Sequence, residues 1–250
     1  MSVAKERGSG EWSKEVFITI LAIDTSTRYA GVALLNKDGQ LVQLLHWRSQ
    51  QNHSVELLPT IETVLQRQGA TIQDVTGIAI AVGPGSFSAL RVGLSVAKGL
   101  AWARGLPLVA VTTLEAEAFP HRMTGVPVCA VMDAGRGQLA WALFEEREGQ
   151  LCQLGDEQID TPEELLDKLP SPALLCGEGL ERYNEALSKG AARGVRLALP
   201  YLPGQRVAAL AYMGSARLQA GLVQDTGAVQ PLYLRRPTIT EPRSQTAGTP

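Results

Sequence analysis

Apolar residues in the first half of the chain form short runs and one helical stripe, each ended by a turn signal. Runs rich in β-branched residues predict buried strands, and apolar positions at helical spacing before Gly69 predict an amphipathic helix. The Asp38-Gly39 pair predicts a hairpin turn. The predicted strands cover residues 16–23, 30–36, 41–47, 77–82 and 107–111, and the predicted helices cover 54–68 and 88–105.

The second half repeats this order. Thr161-Pro162-Glu163-Glu164 is a capping box that opens a helix, because Thr161 can cap and Glu164 can reach back. The other predicted elements are strands 126–132, 138–145, 151–154, 173–176 and 195–199 and helices 180–187 and 206–220.

The order β-β-β-α-β-α-β therefore occurs twice, and each copy begins with an apolar strand that ends in Asp. An internal repeat of this kind predicts an α/β fold of two subdomains, with mixed sheets flanked by helices. We expect a disordered lead at residues 1–15, subdomains at 16–112 and 113–236, and a mobile tail at 237–250.

The composition is ordinary for a globular protein and narrows the choice of partners. Hydrophobic residues make up 45% of the 250 residues and charged residues 19%. The net charge of −2, without a dense cluster of Lys and Arg, argues against binding nucleic acid by charge alone. The three dispersed cysteines predict reduced thiols. Neither a signal peptide nor a membrane-spanning stretch is predicted, so we expect a cytoplasmic protein.

Two predicted turns place an aspartate at the end of the first strand of each copy. Asp24 is followed by Thr25 and Ser26, and this loop could hold a phosphate or a metal-bound water. Asp133 is its counterpart in the second copy. The alternative for both loops is an ordinary turn in which the side chains cap backbone amides.

A third turn, rich in glycine, lies between a predicted strand and a predicted helix. Gly83 and Gly85 allow close approach of the backbone, and the start of a helix favours anions, so this turn could hold a phosphate together with Ser86. It lacks the Gly-Lys-Ser/Thr ending of a P-loop. The alternative is a tight turn in which Ser86 or Ser88 caps the helix.

Other catalytic signatures are missing from the sequence. The three histidines include no His-x-x-x-His pair that could bind a metal from one helix face, and we expect His53 to cap or pack at a helix start. There is no Gly-x-Ser-x-Gly nucleophile motif. No metal site and no catalytic residue are therefore predicted.

Four short motifs, in this order and at this spacing, carry a resemblance to a known family. They are Ile20-Leu21-Ala22-Ile23-Asp24-Thr25-Ser26-Thr27, His53-Ser54-x-x-Leu57-Leu58-Pro59, Gly83-Pro84-Gly85-Ser86-Phe87-Ser88-Ala89-Leu90-Arg91-Val92-Gly93 and Pro231-Leu232-Tyr233-Leu234-Arg235. Together they resemble the bacterial TsaB family, also called YeaZ, over about residues 16–236 and most closely in the first half.

The resemblance implies a duplicated actin/Hsp70-like fold (ASKHA, ribonuclease H-like). It implies a non-catalytic subunit that binds and activates a paralogue, TsaD, which transfers threonylcarbamoyl to adenosine 37 of ANN-reading tRNAs. TsaD-like proteins bind a metal with a His-x-x-x-His pair, whereas this chain has only His53 in that region. A TsaE-like ATPase usually completes the assembly, and tRNA would be contacted only indirectly. No cofactor of its own is expected; a nucleotide at the partner interface and a homodimer of the lone chain stay open.

The sequence departs from the family pattern at two places. Ser88-Ala89 stands where the family usually has Thr-Gly, so Ser88 keeps the hydroxyl group at the first of these positions. Asp133-Ala134-Gly135 stands where the family usually has Asp-Ala-Arg, so the arginine moves by one position to Arg136. Two other functions compete: a small-molecule kinase of the same superfamily, and a glycoprotease-like metallopeptidase.

Small residues recur at every fourth position of the second predicted helix and form a smooth ridge. Such a ridge lets another helix approach closely. The resemblance implies that TsaD pairs through the first helices, so we predict this ridge as the partner interface. The alternative is that the ridge packs on the chain's own sheet. The predicted interface residues are Leu57, Ile61, Val64, Ala89, Gly93, Ala97 and Ala101.

Overall fold

The computed structural model describes residues 18–50 and 52–235. The predicted disordered lead, the start of the first strand and the predicted mobile tail lie outside these residues. Two five-stranded mixed sheets organise the described chain. Within residues 18–50 and 52–235, no helix is long and apolar enough to cross a bilayer.

The first sheet has the strand order β3-β2-β1-β4-β5. Its first three strands form an antiparallel meander, and β4 and β5 continue it in parallel with β1. The predicted Asp38-Gly39 turn joins β2 to β3, with Gly39 at a φ of 73°. The strands are β1 Ile18–Asp24, β2 Tyr29–Asn36, β3 Leu41–Arg48, β4 Val75–Ala81 and β5 Leu108–Val111.

The second sheet repeats this topology, with the order β10-β9-β6-β7-β8. β6 takes the place of β1, with an antiparallel hairpin on one side and parallel strands on the other. The strands are β6 Val128–Gly135, β7 Gln138–Arg147, β8 Gln150–Asp160, β9 Ala173–Cys176 and β10 Val195–Leu197. The predicted duplication is confirmed; β8 is longer than the predicted 151–154.

Helices cover both faces of the first sheet. Helices α1 (His53–Arg67) and α2 (Phe87–Arg104) pack on one face, where their buried residues share a core with β1, β2 and β4. Helix α6 (Pro203–Gln219) packs on the other face. Gly214 lies so close to β4 that a Cβ there would overlap Ala79.

The second sheet is flanked by α4 (Pro162–Lys168) and α5 (Leu180–Ser188) on one face. The predicted capping box opens α4, because Thr161 Oγ1 accepts from the Glu164 amide at 3.3 Å and Glu164 accepts from the Thr161 amide at 2.9 Å. A short helix that the sequence did not predict, α3 (Thr113–Ala118), lies between the sheets: Ala116 joins the core of the first, and Leu114 that of the second.

The placement of α6 corrects the predicted domain division. The predicted second subdomain, residues 113–236, includes α6, but α6 returns to the first sheet and fills its core with Val207, Leu210 and Met213. Hydrophobic spacing identifies the buried side of a helix but not the sheet that covers it. The first subdomain therefore consists of two segments that are distant along the chain.

The predicted interface ridge is a second correction. All seven predicted interface residues, four on the α2 ridge and three on α1, are buried within the chain itself, so they are not available to a partner in this structure. A Cβ at Gly93 would overlap Thr25 Oγ1, and that hydroxyl donates to the Ala89 carbonyl at 2.7 Å. The small side chains let α2 approach its own sheet, and the intrachain alternative is the one observed. The buried residues are Leu57, Ile61, Val64, Ala89, Gly93, Ala97 and Ala101.

The three cysteines are free thiols, as predicted. Cys129 and Cys176 are buried, and burial raises the pKa of both thiols. Thiols that stay protonated are unreactive, which fits an ordinary core role for these two residues.

Candidate functional site

A cleft of about 670 Å³ separates the two sheets, and parts of all three predicted loops line it. Ser26, Gly85, Ser86 and Asp133 lie on its walls. Asp24 and Thr25 are buried and are not among the lining residues. The cleft is also lined by the described C-terminal residues, of which Arg235 donates to the Ala134 carbonyl across the gap at 3.1 Å.

Asp24 ends β1 in the interior, and both of its carboxylate oxygens are engaged. Oδ1 accepts from the Ser26 amide at 2.8 Å and from the Ser26 hydroxyl at 2.6 Å. Oδ2 accepts from Arg206 Nε at 2.5 Å. The predicted turn geometry is therefore present, since a short polar side chain caps an amide two residues later. The remaining capacity of Asp24 is taken by a guanidinium rather than left open to the cleft.

Arg206 comes from the first turn of α6, and its side chain is only 1% exposed. Its Nη2 donates to Thr27 Oγ1 at 2.9 Å and to the Tyr29 carbonyl at 2.8 Å. One guanidinium thus binds the end of β1, the following turn and the start of β2. A buried charge needs this degree of pairing because desolvation alone would be very costly.

The other terminal nitrogen of Arg206 faces acidic groups from α3 and the second sheet. Nη1 lies 2.8 Å from Glu117 Oε1 and 3.4 Å from Glu178 Oε2, and it donates to the Tyr201 hydroxyl at 3.2 Å. Glu117 also accepts from Tyr201 at 2.9 Å. Because Glu178 follows β9, Arg206 connects the two sheets at the base of the cleft.

Burial and charge act in opposite directions on the pKa values of this cluster. Burial raises the pKa of Glu117 above its ordinary value even though Arg206 and Tyr201 act to lower it. Burial also raises the pKa of the Tyr201 hydroxyl. Burial alone would lower the pKa of Arg206, but Asp24, Tyr201 and Glu117 more than compensate and raise it. Arg206 is therefore permanently cationic.

The glycine turn packs directly on the Asp24 loop. The Ser86 amide donates to the Ser26 carbonyl at 2.7 Å, and a Cβ at Gly85 would overlap that carbonyl. The Ser86 side chain occupies the N-cap position of α2 but makes no capping hydrogen bond. The Gly83 carbonyl accepts from the Thr113 amide at 2.7 Å. The turn is thus held by backbone contacts, so the tight turn is present but the capping by Ser86 that was predicted with it is not.

Asp133 occupies the equivalent position of the second sheet but lies at the surface. Oδ1 accepts from the Gly135 amide at 2.8 Å and from Tyr183 at 3.1 Å, while Arg182 donates to Oδ2 at 2.7 Å. Burial would raise the pKa of Asp133, but these bonds outweigh it and lower the pKa. Arg136, the displaced family arginine, lies in the adjacent turn with a φ of 58°.

A second group of ion pairs crosses the cleft near its rim. Arg28 lies 2.6 Å from Glu181 and 3.4 Å from Glu178, and Tyr29 donates to Glu181 at 3.0 Å. His53 is buried at the start of α1, with Nε2 3.1 Å from the Thr27 carbonyl, which confirms its predicted packing role. Within residues 18–50 and 52–235, no three His, Cys, Asp or Glu side chains group as a metal site would require.

The principal residue that sequence reasoning missed is Arg206. The sequence contains one signal for it: Arg206, Leu210 and Gly214 are spaced by four, so the arginine falls on the apolar side of α6. Glu117 and Tyr201 gave no such signal, because α3 was not predicted and Tyr201 lies outside the predicted elements.

The doubled β-β-β-α-β-α-β topology with a cleft between the halves defines a protein of the actin/Hsp70-like class. A ROK family protein from Streptococcus pneumoniae shares this fold, with a TM-score of 0.50 at 14% identity over 80% of this chain and 99% of that one. At that identity the similarity concerns the fold alone.

Closer relatives identify the family. The family model described as "TsaD: tRNA N6-adenosine threonylcarbamoyltransferase" matches residues 48–235. The tRNA threonylcarbamoyladenosine biosynthesis protein TsaB of Bacillus subtilis is 31% identical, covering 87% of this chain and 94% of the relative. YeaZ from Pseudomonas aeruginosa has a TM-score of 0.71 at 28% identity, covering 86% and 99%. The chain belongs to the TsaB (YeaZ) family of tRNA threonylcarbamoyladenosine biosynthesis proteins.

Proposed function

We propose that this chain is a non-catalytic subunit of tRNA threonylcarbamoyladenosine biosynthesis that binds and activates a TsaD-type transferase. The observation that carries the proposal is the closed site at Asp24. Metal-assisted phosphoryl transfer needs a carboxylate free to position a cation or water, whereas Asp24 is held by Ser26 and Arg206. The same contacts argue against the small-molecule kinase, which would need that position open.

The partner surface is assigned to the outward side of α1 and α2, in place of the buried ridge. Both helices cover one face of the first sheet, so their outer sides form one surface. Val55 and Leu58 of α1 are exposed, and Gly99 of α2 has open space beyond its Cα. We call this surface, defined by Val55, Leu58, Ser95 and Gly99, the outer α1–α2 face. Exposed apolar side chains beside small residues are suited to a close helix contact.

The wider assembly follows from this role. A TsaE-like ATPase would join the heterodimer, and tRNA would be contacted through the partner, consistent with the net charge of −2. In the absence of TsaD, the outer α1–α2 face would support a homodimer. A nucleotide at the partner interface is a further element of the proposal, as is a cytoplasmic location.

The test compares two exposed leucines. Leu58→Asp changes the outer α1–α2 face, and Leu222→Asp changes a leucine of similar exposure (51% and 60%) beyond the end of α6. We expect Leu58→Asp to weaken binding to a TsaD-type transferase at least about tenfold and to reduce tRNA modification in parallel. Leu222→Asp should behave as the unmodified chain. Equal affinities for both folded variants would contradict the assigned surface.

The absence of catalysis has a separate test. Ser86→Ala and Asp133→Asn should lower modification only as far as they lower the affinity for the transferase. A variant that assembles normally but abolishes modification would mean that this subunit takes part in the chemistry. The lone chain should neither cleave proteins nor hydrolyse ATP at ordinary enzymatic rates of about 1–100 per second. A turnover in that range would favour the kinase alternative, and proteolysis would favour the metallopeptidase.

A further inference from the structure

A second, smaller pocket of about 250 Å³ lies between α2 and the C-terminal residues of the described chain. Its polar lining consists of Arg91, Ser95, Lys98, Gln230 and Tyr233, and two apolar side chains complete it. No Asp or Glu lines it. The pocket therefore offers two cations, two hydroxyls and an amide without a carboxylate to neutralise them.

Arg91 is held in a fixed orientation at this pocket. Its Nε donates to the Tyr233 hydroxyl at 3.2 Å, and its guanidinium carbon lies 3.7 Å from the centre of the Phe87 ring. The rings of Phe87 and Tyr233 are themselves in contact, with centroids 4.9 Å apart. Among the described residues, the terminal nitrogens of Arg91 have no hydrogen-bond or ion-pair partner. Its donors are thus preorganised and available.

Lys98 approaches the same pocket from two helical turns further along α2. Seven residues of α-helix correspond to about 10.5 Å of rise, and this spacing keeps both side chains on one side of the helix. Lys98 Nζ donates to the Gly227 carbonyl at 3.2 Å, which fixes its position without neutralising its charge. By contrast, the cleft arginines Arg28 and Arg182 are each paired with a carboxylate.

We propose that this pocket, here called the α2 anion pocket, binds a phosphate group. The planar fork of an arginine matches two oxygens of a phosphate, and a lysine adds a point charge. Ser95 and Tyr233 supply hydroxyls at the rim. The phosphate could belong to a small phosphomonoester or to an RNA backbone, and both present the same oxygens. The pocket shares Ser95 with the outer α1–α2 face, but the proposal does not rest on the proposed function, because it concerns phosphate binding by the lone chain.

The experiment titrates the full chain with inorganic phosphate and pyrophosphate. Binding is measured by calorimetry and by the line width of the ³¹P NMR signal. Arg91→Gln removes the guanidinium fork, and Lys98→Gln removes the point charge of the pocket. The control is Arg104→Gln, at the end of the same helix. Arg104 is exposed and donates to the Gln73 carbonyl. We expect each pocket variant to weaken binding about tenfold or more. Arg104→Gln should leave affinity unchanged. Thermal unfolding checks that each variant is folded.

A second arm distinguishes the two sources of phosphate. A short single-stranded RNA is titrated into the same four proteins at two salt concentrations. Salt-dependent RNA binding that the Arg91→Gln change removes would identify a nucleic-acid backbone as the ligand. Phosphate binding without RNA binding would identify a small phosphomonoester. The proposal is overturned if the unmodified chain shows no saturable binding of any probe, or if both pocket variants bind as tightly as the Arg104→Gln control.

Discussion

Asp24 and Asp133 stand at equivalent places in the two copies of the fold, yet Asp24 is buried and Asp133 is exposed. Asp24 ends β1 and Asp133 lies two residues before the end of β6, and each caps the amide two residues later and pairs with an arginine. Arg206, the partner of Asp24, is 1% exposed, whereas Arg182, the partner of Asp133, is 61% exposed. The same local sequence logic thus produces an interior cluster in one half and a surface pair in the other.

The comparison teaches that burial determines what such a pair does. In the interior the attraction between charges is weakly screened, and any group left without a partner is costly. At the surface, water and salt reduce the same interaction to little. The Asp24 cluster therefore behaves as part of the core that joins the sheets. The Asp133 pair can change without consequence for the fold, and this difference can be tested directly.

The largest expected effect comes from removing the shared guanidinium. Arg206→Met keeps an unbranched, shorter apolar stem but leaves Asp24, Glu117 and Glu178 without their common cation. We expect a loss of about 3–5 kcal/mol in the free energy of unfolding, measured by urea denaturation.

Arg182→Met is the matched control on the surface pair, and we expect no resolvable change in its urea midpoint. A similarly small effect for Arg206→Met would mean that the interior cluster contributes no more than the exposed one. The comparison between the two halves would then fail.

The next effect tests how closely α2 packs over the Asp24 loop. Gly93→Ala would place a Cβ against Thr25 Oγ1, so we expect a loss of about 1–3 kcal/mol in the free energy of unfolding. Gly99→Ala, six residues later in the same helix, enters open space and should gain about 0.5–1 kcal/mol from helix propensity. Thermal and urea unfolding measure both. If both substitutions changed the free energy of unfolding in the same direction, the α2 ridge would not pack on the Asp24 loop.

The sequence allowed the duplicated architecture and most strands to be predicted, because each depends on local periodicity and turn residues. The α4 capping box at Thr161 was correctly predicted for the same reason, since both partners lie within one turn. The loops around Asp24 and Asp133 were also correctly paired by their equivalent positions. Local patterns therefore identified which loops meet at the cleft, but not that Asp24 and Thr25 are buried away from it.

The contacts that distinguish these loops could not be predicted, because they join distant parts of the chain. Arg206 and Asp24 are 182 residues apart, and α6 gives no local sign of returning to the first sheet. The prediction that the α2 ridge is a partner interface was wrong for another reason. Small residues occur on the buried side at Gly93 and on the exposed side at Gly99, so spacing alone does not tell which side meets the sheet.

The interior cluster should also respond to pH in a characteristic direction. The pKa of Glu117 is raised in the folded chain, mainly by burial. The stability that protonated Glu117 contributes is therefore fully present below the ordinary pKa of 4.5. This contribution is lost as the pH rises through the higher pKa that Glu117 has in the folded chain. Glu117→Gln cannot ionise, so its stability relative to the unmodified chain should improve as pH rises above about 4.5. Urea unfolding at a series of pH values measures this difference. A constant difference would contradict the assignment.

The smallest effect, with the opposite sign, is expected at the surface pair. The pKa of Asp133 is lowered in the folded chain because the Gly135 amide, Arg182 and Tyr183 outweigh burial. The stability that ionised Asp133 contributes is present above the ordinary pKa of 3.8. This contribution is lost as the pH falls through the lower pKa that Asp133 has in the folded chain. Asp133→Asn should therefore be slightly less stable than the unmodified chain at neutral pH and equal to it in acid. Added salt should reduce the difference, since the pair is exposed. A deficit that salt and acid both leave intact would show that Asp133 acts through its hydrogen bonds and not through its charge.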